Sequence, residues 1–232
     1  MHTVRFQIMR RALLTSIFIM VATSIFIYAA KQPSVGDSEE TGLRADPTAY
    51  AHLPQNKREM IGKVVAAAVE STKNEVRYDP TYVKIPYPNG DVPANTGVCS
   101  DVVIRAYRKV GIDLQKDVHE DMVKNFKLYP RKWGLTTTDT NIDHRRVPNL
   151  ITFFSRKGVK LPVTRNEKDY KPGDLVTQIV PPSLPHIVIV TNFRVPNTDR
   201  YYIVHNIGAG PQIEDRLFEF KITGHFRYFG VK

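Results

Sequence analysis

The order of the chain predicts an α+β fold, with helices first and an antiparallel sheet after them. Two observations carry that expectation. Apolar residues recur at helical spacing in the first two thirds of the chain, and β-branched and aromatic runs separated by turn signals fill the last third. A third observation bounds the rest: 232 residues suffice for one sizeable core or one domain with a tail.

The first helix is expected from Asn56, where Asn56 and Glu59 stand at capping-box spacing and Met60, Ile61, Val64, Val65, Ala68 and Val69 make one face. Residues 77–97 are rich in Pro, Gly, Asn and Tyr and read as irregular. In "NTGVCSDVVIRAYRKVGIDL" (95–114), Val102, Val103, Ala106, Tyr107 and Val110 share a helical face, with Gly111 placed to end the helix. A further helix is expected from about Asp117 to Leu128, carrying Val118, Met122 and Phe126, and another from Asn149 to Arg156 with Leu150, Phe153 and Phe154. Strands follow at 174–180, 186–193, 200–208 and 225–229.

Residues 1–31 stand apart as a signal segment or membrane anchor. They contain Arg5, Arg10, Arg11 and Lys31 and no acid, and Ala12 to Ala30 are free of charge, long enough to anchor in the inner membrane. The arginines are expected to stay in the cytoplasm while the remainder crosses the membrane. Residues 32–55 are polar, with scattered Gly and Pro, and read as a flexible linker. The globular domain is then 56–232. Setting aside the four cations of the first segment, the formal charge of +10 falls to +6, which suits an anionic wall polymer or membrane surface. No Lys/Arg run of the kind used for nucleic acid occurs, and no zinc-type spacing of His, Cys and carboxylates; neither metal nor cofactor is expected. The sequence leaves the oligomeric state open.

Cys99 is the only cysteine, so no internal disulfide exists. It lies three and four residues before Val102 and Val103, on the buried face at the helix start, where unpaired N–H groups and the helix dipole favour a thiolate. It is either a small core residue or a nucleophile. A nucleophile needs a base, and two of the seven histidines stand in neighbouring strands: His186 opens "HIVIVTNF" and His205 lies in "YYIVHNIG". If Val190 faces Tyr201, His186 faces His205 across a ten-residue loop, 191–200. A neighbouring register brings up Asn206 or leaves His205 in the core. Without the cysteine, both read equally well as half-buried strand histidines. In "DTNIDHRRVPN" (139–149), Asp143, His144, Arg145 and Arg146 either line a groove, with the arginines gripping substrate carboxylates, or form a solvated loop and helix cap.

The order of a Tyr- and Gly-rich segment, Cys99 at a helix start, "KPGDLV" (171–176), His186 opening a strand and His205 in the next resembles the NlpC-type cell-wall peptidases of papain-like fold. More closely, the segment 78–114 together with "VHEDM", "NIDHRRVPNL", "GDLVTQIV" and "PHIVIVTN" resembles the bacterial domain-of-unknown-function family 1287, a branch of that group, over about residues 70–230. The resemblance implies a papain-like NlpC-type fold whose cysteine helix packs against the sheet. It implies a periplasmic amidase or endopeptidase that cuts an amide bond of peptidoglycan stem peptides. Cys99 would be the nucleophile, His186 the base and His205 the orienting residue, with Tyr78 and residues 143–146 on the substrate side. Where the NlpC-type enzymes usually have Asp before the cysteine and Ser-Gly after it, this chain has Val98 and Ser100-Asp101. A non-catalytic wall-binding module and a toxin delivered into competitors' periplasm are the alternative expectations.

Overall fold

The computed structural model describes residues 43–231. The expected signal or anchor segment 1–31, and the linker up to residue 42, lie outside the described residues. Among the described residues no helix is long and apolar enough to cross a membrane.

Among the described residues helices and sheet follow one another as expected, an α+β arrangement of four α-helices and a six-stranded antiparallel sheet. Helix α1 spans Gln55–Ser71 and buries Ile61, Val64, Val65 and Ala68. Its N-cap is Pro54, which makes no side-chain cap; Glu59 accepts instead from Gln55 Nε2 at 2.8 Å, so the expected capping box at Asn56 does not form. Helix α2, Cys99–Arg108, buries eight of its ten residues, Cys99 among them. Helix α3 is Leu114–Asn125, starting three residues before the expected Asp117 because Asp113 accepts from Gln115 N–H at 3.0 Å and caps it. Helix α4 is Val147–Lys157, with Leu150, Phe153 and Phe154 buried.

Two short strands, β1 (Arg77–Tyr78) and β2 (Thr96–Gly97), pair in parallel and set Tyr78 beside Gly97. The main sheet comprises β3 (Val159–Lys160), β4 (Leu175–Val180), β5 (Leu184–Arg194), β6 (Tyr201–Asn206), β7 (Pro211–Glu214) and β8 (Lys221–Arg227), ordered β3-β8-β4-β5-β6-β7. Both its faces are covered, which is why its strands read as near-continuous apolar runs. Leu175, Ile187, Ile189, Val204, Ile213 and Phe226 face the helices. Val176, Val188, Val190, Tyr201 and Ile203 face a second cluster closed by Tyr170 and Leu217.

The stretch expected to be a flexible linker is docked from Leu43 onward. Ala45 bridges Phe193, Asp46 N–H donates to Asn192 O at 2.8 Å, and Ala49 and Leu53 are buried. It is a polar strap laid against the C-terminal end of β5, an interior strand, and its partners lie far along the chain.

Candidate active site around Cys99

Cys99 is the first residue of α2. Val98 has no side-chain oxygen with which to cap that helix, and Asp101 does so from inside: its Oδ2 accepts from Val98 N–H at 2.7 Å. Asp101 is in turn gripped by Arg145, whose Nε and Nη2 donate to its two oxygens, both at 2.9 Å, with both side chains 3% exposed. Arg145 also donates to the carbonyls of Thr81 and Asp79, and its own carbonyl accepts from Ser100 Oγ at 2.8 Å. The helix start, the segment after Tyr78 and the 143–145 turn are thereby tied together.

Three N–H groups, those of Ile187, Ser100 and Cys99 itself, favour the thiolate, as the helix-start argument expects. Burial outweighs them. Together with the nearby Asp101 charge it pushes the thiol up from 9.0 to about 11, so the resting group is a neutral thiol.

The two histidines meet, through a different register from the expected one. Val190 pairs with Ile203 rather than Tyr201, a slip of two residues that keeps each side chain on its face. The intervening loop shrinks to residues 195–200, and His186 reaches His205 diagonally. His186 Nε2 and His205 Nδ1 are 2.9 Å apart, with the rings at 73° to one another. His205 Nε2 lies 2.6 Å from Glu214 Oε2, and Arg216 Nη1 is 3.7 Å from the same carboxylate oxygen. All four side chains are buried. Burial first, then the repulsion that His205 would exert if protonated and the Arg216 charge, holds His186 well below the usual imidazole range, so it rests neutral. Asn206, the alternative third residue, bonds instead to Gly97 O at 3.3 Å.

His186 alternates with Ile187 and therefore leaves the face of β5 opposite to the helix-side core that holds Cys99. The link between them is the backbone at the strand's end. The β5–β6 ladder reaches only Ile189↔Val204, and beyond it the N–H of Ile187, in the peptide bond that joins it to His186, points at the thiol. Among the described residues no hydrogen bond joins the sulfur to an imidazole, and His186 Nδ1 makes none.

Of the other residues singled out in the sequence, Tyr78 stands near the thiol. Its phenol is pushed up by burial and then by the Cys99 charge. Residues 143–146 do not form a row facing a groove. Asp143 and His144 are buried, Arg145 is committed to Asp101, and Arg146 bridges Asp143 at 3.2 Å and lies 4.1 Å over the Trp133 ring. An open groove of about 1220 Å³ lies between α1 and α2; it is lined by Lys63, Asp91, Arg105 and Lys109 and runs to Gly97, Val98 and Asn206, stopping one residue short of Cys99. Among the described residues no three His, Cys, Asp or Glu side chains are grouped as metal ligands. Glu214 escaped sequence reasoning because β7 is four residues long and opens on proline, too short for a strand signal.

A family model described as "Domain of unknown function (DUF1287)" matches residues 65–228. The chain is 54% identical over 153 residues to "Uncharacterized protein YijF" of Escherichia coli (strain K12), covering 66% of this chain and 74% of that protein. No solved structure matches it.

Proposed function

The chain belongs to the DUF1287 family, and from that footing we propose that it is a papain-like, NlpC-type cysteine amidase or endopeptidase of peptidoglycan stem peptides, acting in the periplasm. The observation that carries the reading is the hydrogen-bonded His186–His205–Glu214 chain, whose first member adjoins Ile187, the residue whose N–H reaches the thiol of the single cysteine at a helix start. Export rests on the charge pattern of residues 1–31.

With Nε2 of His186 held by His205, Nδ1 is the nitrogen left for the thiol. Both groups rest neutral, so the nucleophile forms by general-base transfer as attack begins. His186 takes the thiol proton, and the sulfur bonds to the amide carbon. The helix-start N–H groups of Cys99 and Ser100 receive the developing oxyanion. The C–N bond breaks as His186 returns the proton to the leaving nitrogen. Water, deprotonated by His186, then hydrolyses the thioester to a carboxylic acid and free Cys99. The missing sulfur–imidazole bond is ordinary for a resting enzyme, since such contacts tighten around substrate. The groove that runs to Gly97 and Val98 offers a peptide a path to the thiol from the α1–α2 side.

The test is mass spectrometry of wall peptides and intact sacculi after incubation with the full-length chain and with Cys99→Ala. Loss of one defined mass with the wild type alone is the expected result. Indistinguishable products sink the reading. The deep burial of the thiol favours one second reading, a wall-binding module of the same fold; in that case Cys99→Ser keeps its affinity for sacculi and neither protein cleaves.

A further inference from the structure

We propose that Glu214 is the positioning residue that sets which nitrogen of His186 carries the proton, acting through His205. The inference rests on the catalytic reading of Cys99 and His186 and extends it to a residue outside the trio.

The argument is one of donors and acceptors. An ionised carboxylate only accepts hydrogen bonds, so with Glu214 Oε2 at 2.6 Å the Nε2 of His205 must donate. In a neutral imidazole the other nitrogen then only accepts. His205 Nδ1 therefore takes a hydrogen from His186 Nε2 at 2.9 Å, and His186 is left with a bare lone pair on Nδ1. Among the described residues that nitrogen makes no hydrogen bond. Reversing one tautomer reverses the chain, placing a proton on His186 Nδ1 where the base has to be.

The alternative assignment makes His205 a cation that donates from both nitrogens, which would force the proton of His186 onto Nδ1. The surroundings oppose it. Arg216, 4% exposed, lies 2.8 Å from Glu219 and 3.7 Å from the Glu214 carboxylate, so a buried cation already stands beside Glu214. A second buried cation on the same carboxylate gains little attraction and is repelled by the first. Glu214 is 6% exposed, so water does not compete for its oxygens.

The direct test is nitrogen NMR of the full-length chain labelled in its histidines, in wild type, Glu214→Gln and Glu214→Asp. In the wild type at neutral pH, His186 and His205 should each carry hydrogen on Nε2 and none on Nδ1. Glutamine both donates and accepts, so Glu214→Gln should abolish the single tautomer at His205 and at His186 together, and Glu214→Asp should restore it in part. A proton on Nδ1 of His186 in the wild type overturns the proposal. So does an unchanged tautomer pattern in Glu214→Gln. If that variant does not fold, the wild-type spectrum decides alone.

On wall peptides, Glu214→Gln should lower kcat by about 100-fold, the size of a lost general-base contribution, with KM unchanged. A change confined to KM argues against a positioning role. If the wild type cuts no wall peptide while the tautomers are as stated, the substrate reading fails and the assignment of Glu214 stands.

Discussion

At Cys99 two effects of known sign oppose one another. The helix start and three N–H groups favour the anion, burial favours the thiol, and burial wins by about two pH units. The native protein should therefore react with iodoacetamide at pH 8 about 100-fold more slowly than a free thiol, because the reagent takes the thiolate. Unfolding in guanidinium should restore the ordinary rate. Fast alkylation with an inflection below pH 7 would instead show a thiolate–imidazolium pair at rest and refute the neutral ground state. His144 is a second group kept neutral by the fold. Burial and then the Arg145 charge lower it from 6.5 to about 4, and its Nδ1 has no partner. The unfolded chain binds a proton here below about pH 6.5 and the folded chain does not until about 4, so the stability is present above 6.5 and lost as pH falls towards 4. A gap of that size is worth about 3 kcal/mol at full loss. Urea midpoints measured from pH 7 to 4 should fall steeply for the wild type and less steeply for His144→Gln. Equal slopes would show that His144 is not the source; His52 and His186, also lowered by burial, act in the same direction, and Asp117 and Asp143, raised by burial, act against it.

Between elements, the Asp101–Arg145 pair explains how α2 can start on a residue that cannot cap it. Arg145→Met leaves a buried carboxylate with no counter-charge, a change that costs about 3–5 kcal/mol. Arg145→Lys should recover little, since one ammonium cannot serve two carboxylate oxygens and two carbonyls at once. Chemical denaturation of both variants checks this, and a loss under 1 kcal/mol for Arg145→Met would remove the clamp from the account. The same residue shows where sequence reading stopped. Arginine in a polar stretch is legible as a charge, but its partner lies 44 residues earlier, and nothing local separates a substrate ligand from a fold clamp. Helix faces were legible because each is written within one turn of its neighbours: Ile61, Val64, Val65 and Ala68 in α1, Val103, Ala106 and Tyr107 in α2. Gly173 is a tighter constraint between α1 and the entry to β4. Its φ is +88°, and an added Cβ would fall on Ile61. Gly173→Ala combines backbone strain with overpacking and should cost about 2–4 kcal/mol, read as a lower denaturation midpoint.

On the scale of the molecule, the pairing of His186 with His205 was legible while the register was not. A slip of two residues preserves the face, so the pair survives an error in the loop. The strap of residues 43–54 was illegible for the opposite reason, since what holds it is entirely non-local. Asp46 Oδ2 accepts from Tyr201 Oη at 2.8 Å and from Arg194 Nε at 3.1 Å, more than 140 residues away. Burial alone would raise this carboxyl, but hydrogen bonds from Thr48 and Tyr201 and the Arg194 charge bring it down to about 2. A group with a lowered folded pKa stabilises above its unfolded value near 3.8 and loses that effect as pH falls towards 2. The strap should accordingly stay docked at pH 5 and loosen between about pH 4 and 2, ahead of α1, whose buried side chains are apolar. Hydrogen exchange followed by mass spectrometry reads this directly. Asp46→Asn at pH 6 should raise exchange in residues 46–53 about tenfold, the effect of losing one charged partner of partly exposed groups, while α1 keeps its protection. If α1 opens together with the strap, the two form one cooperative unit and the strap is part of the core.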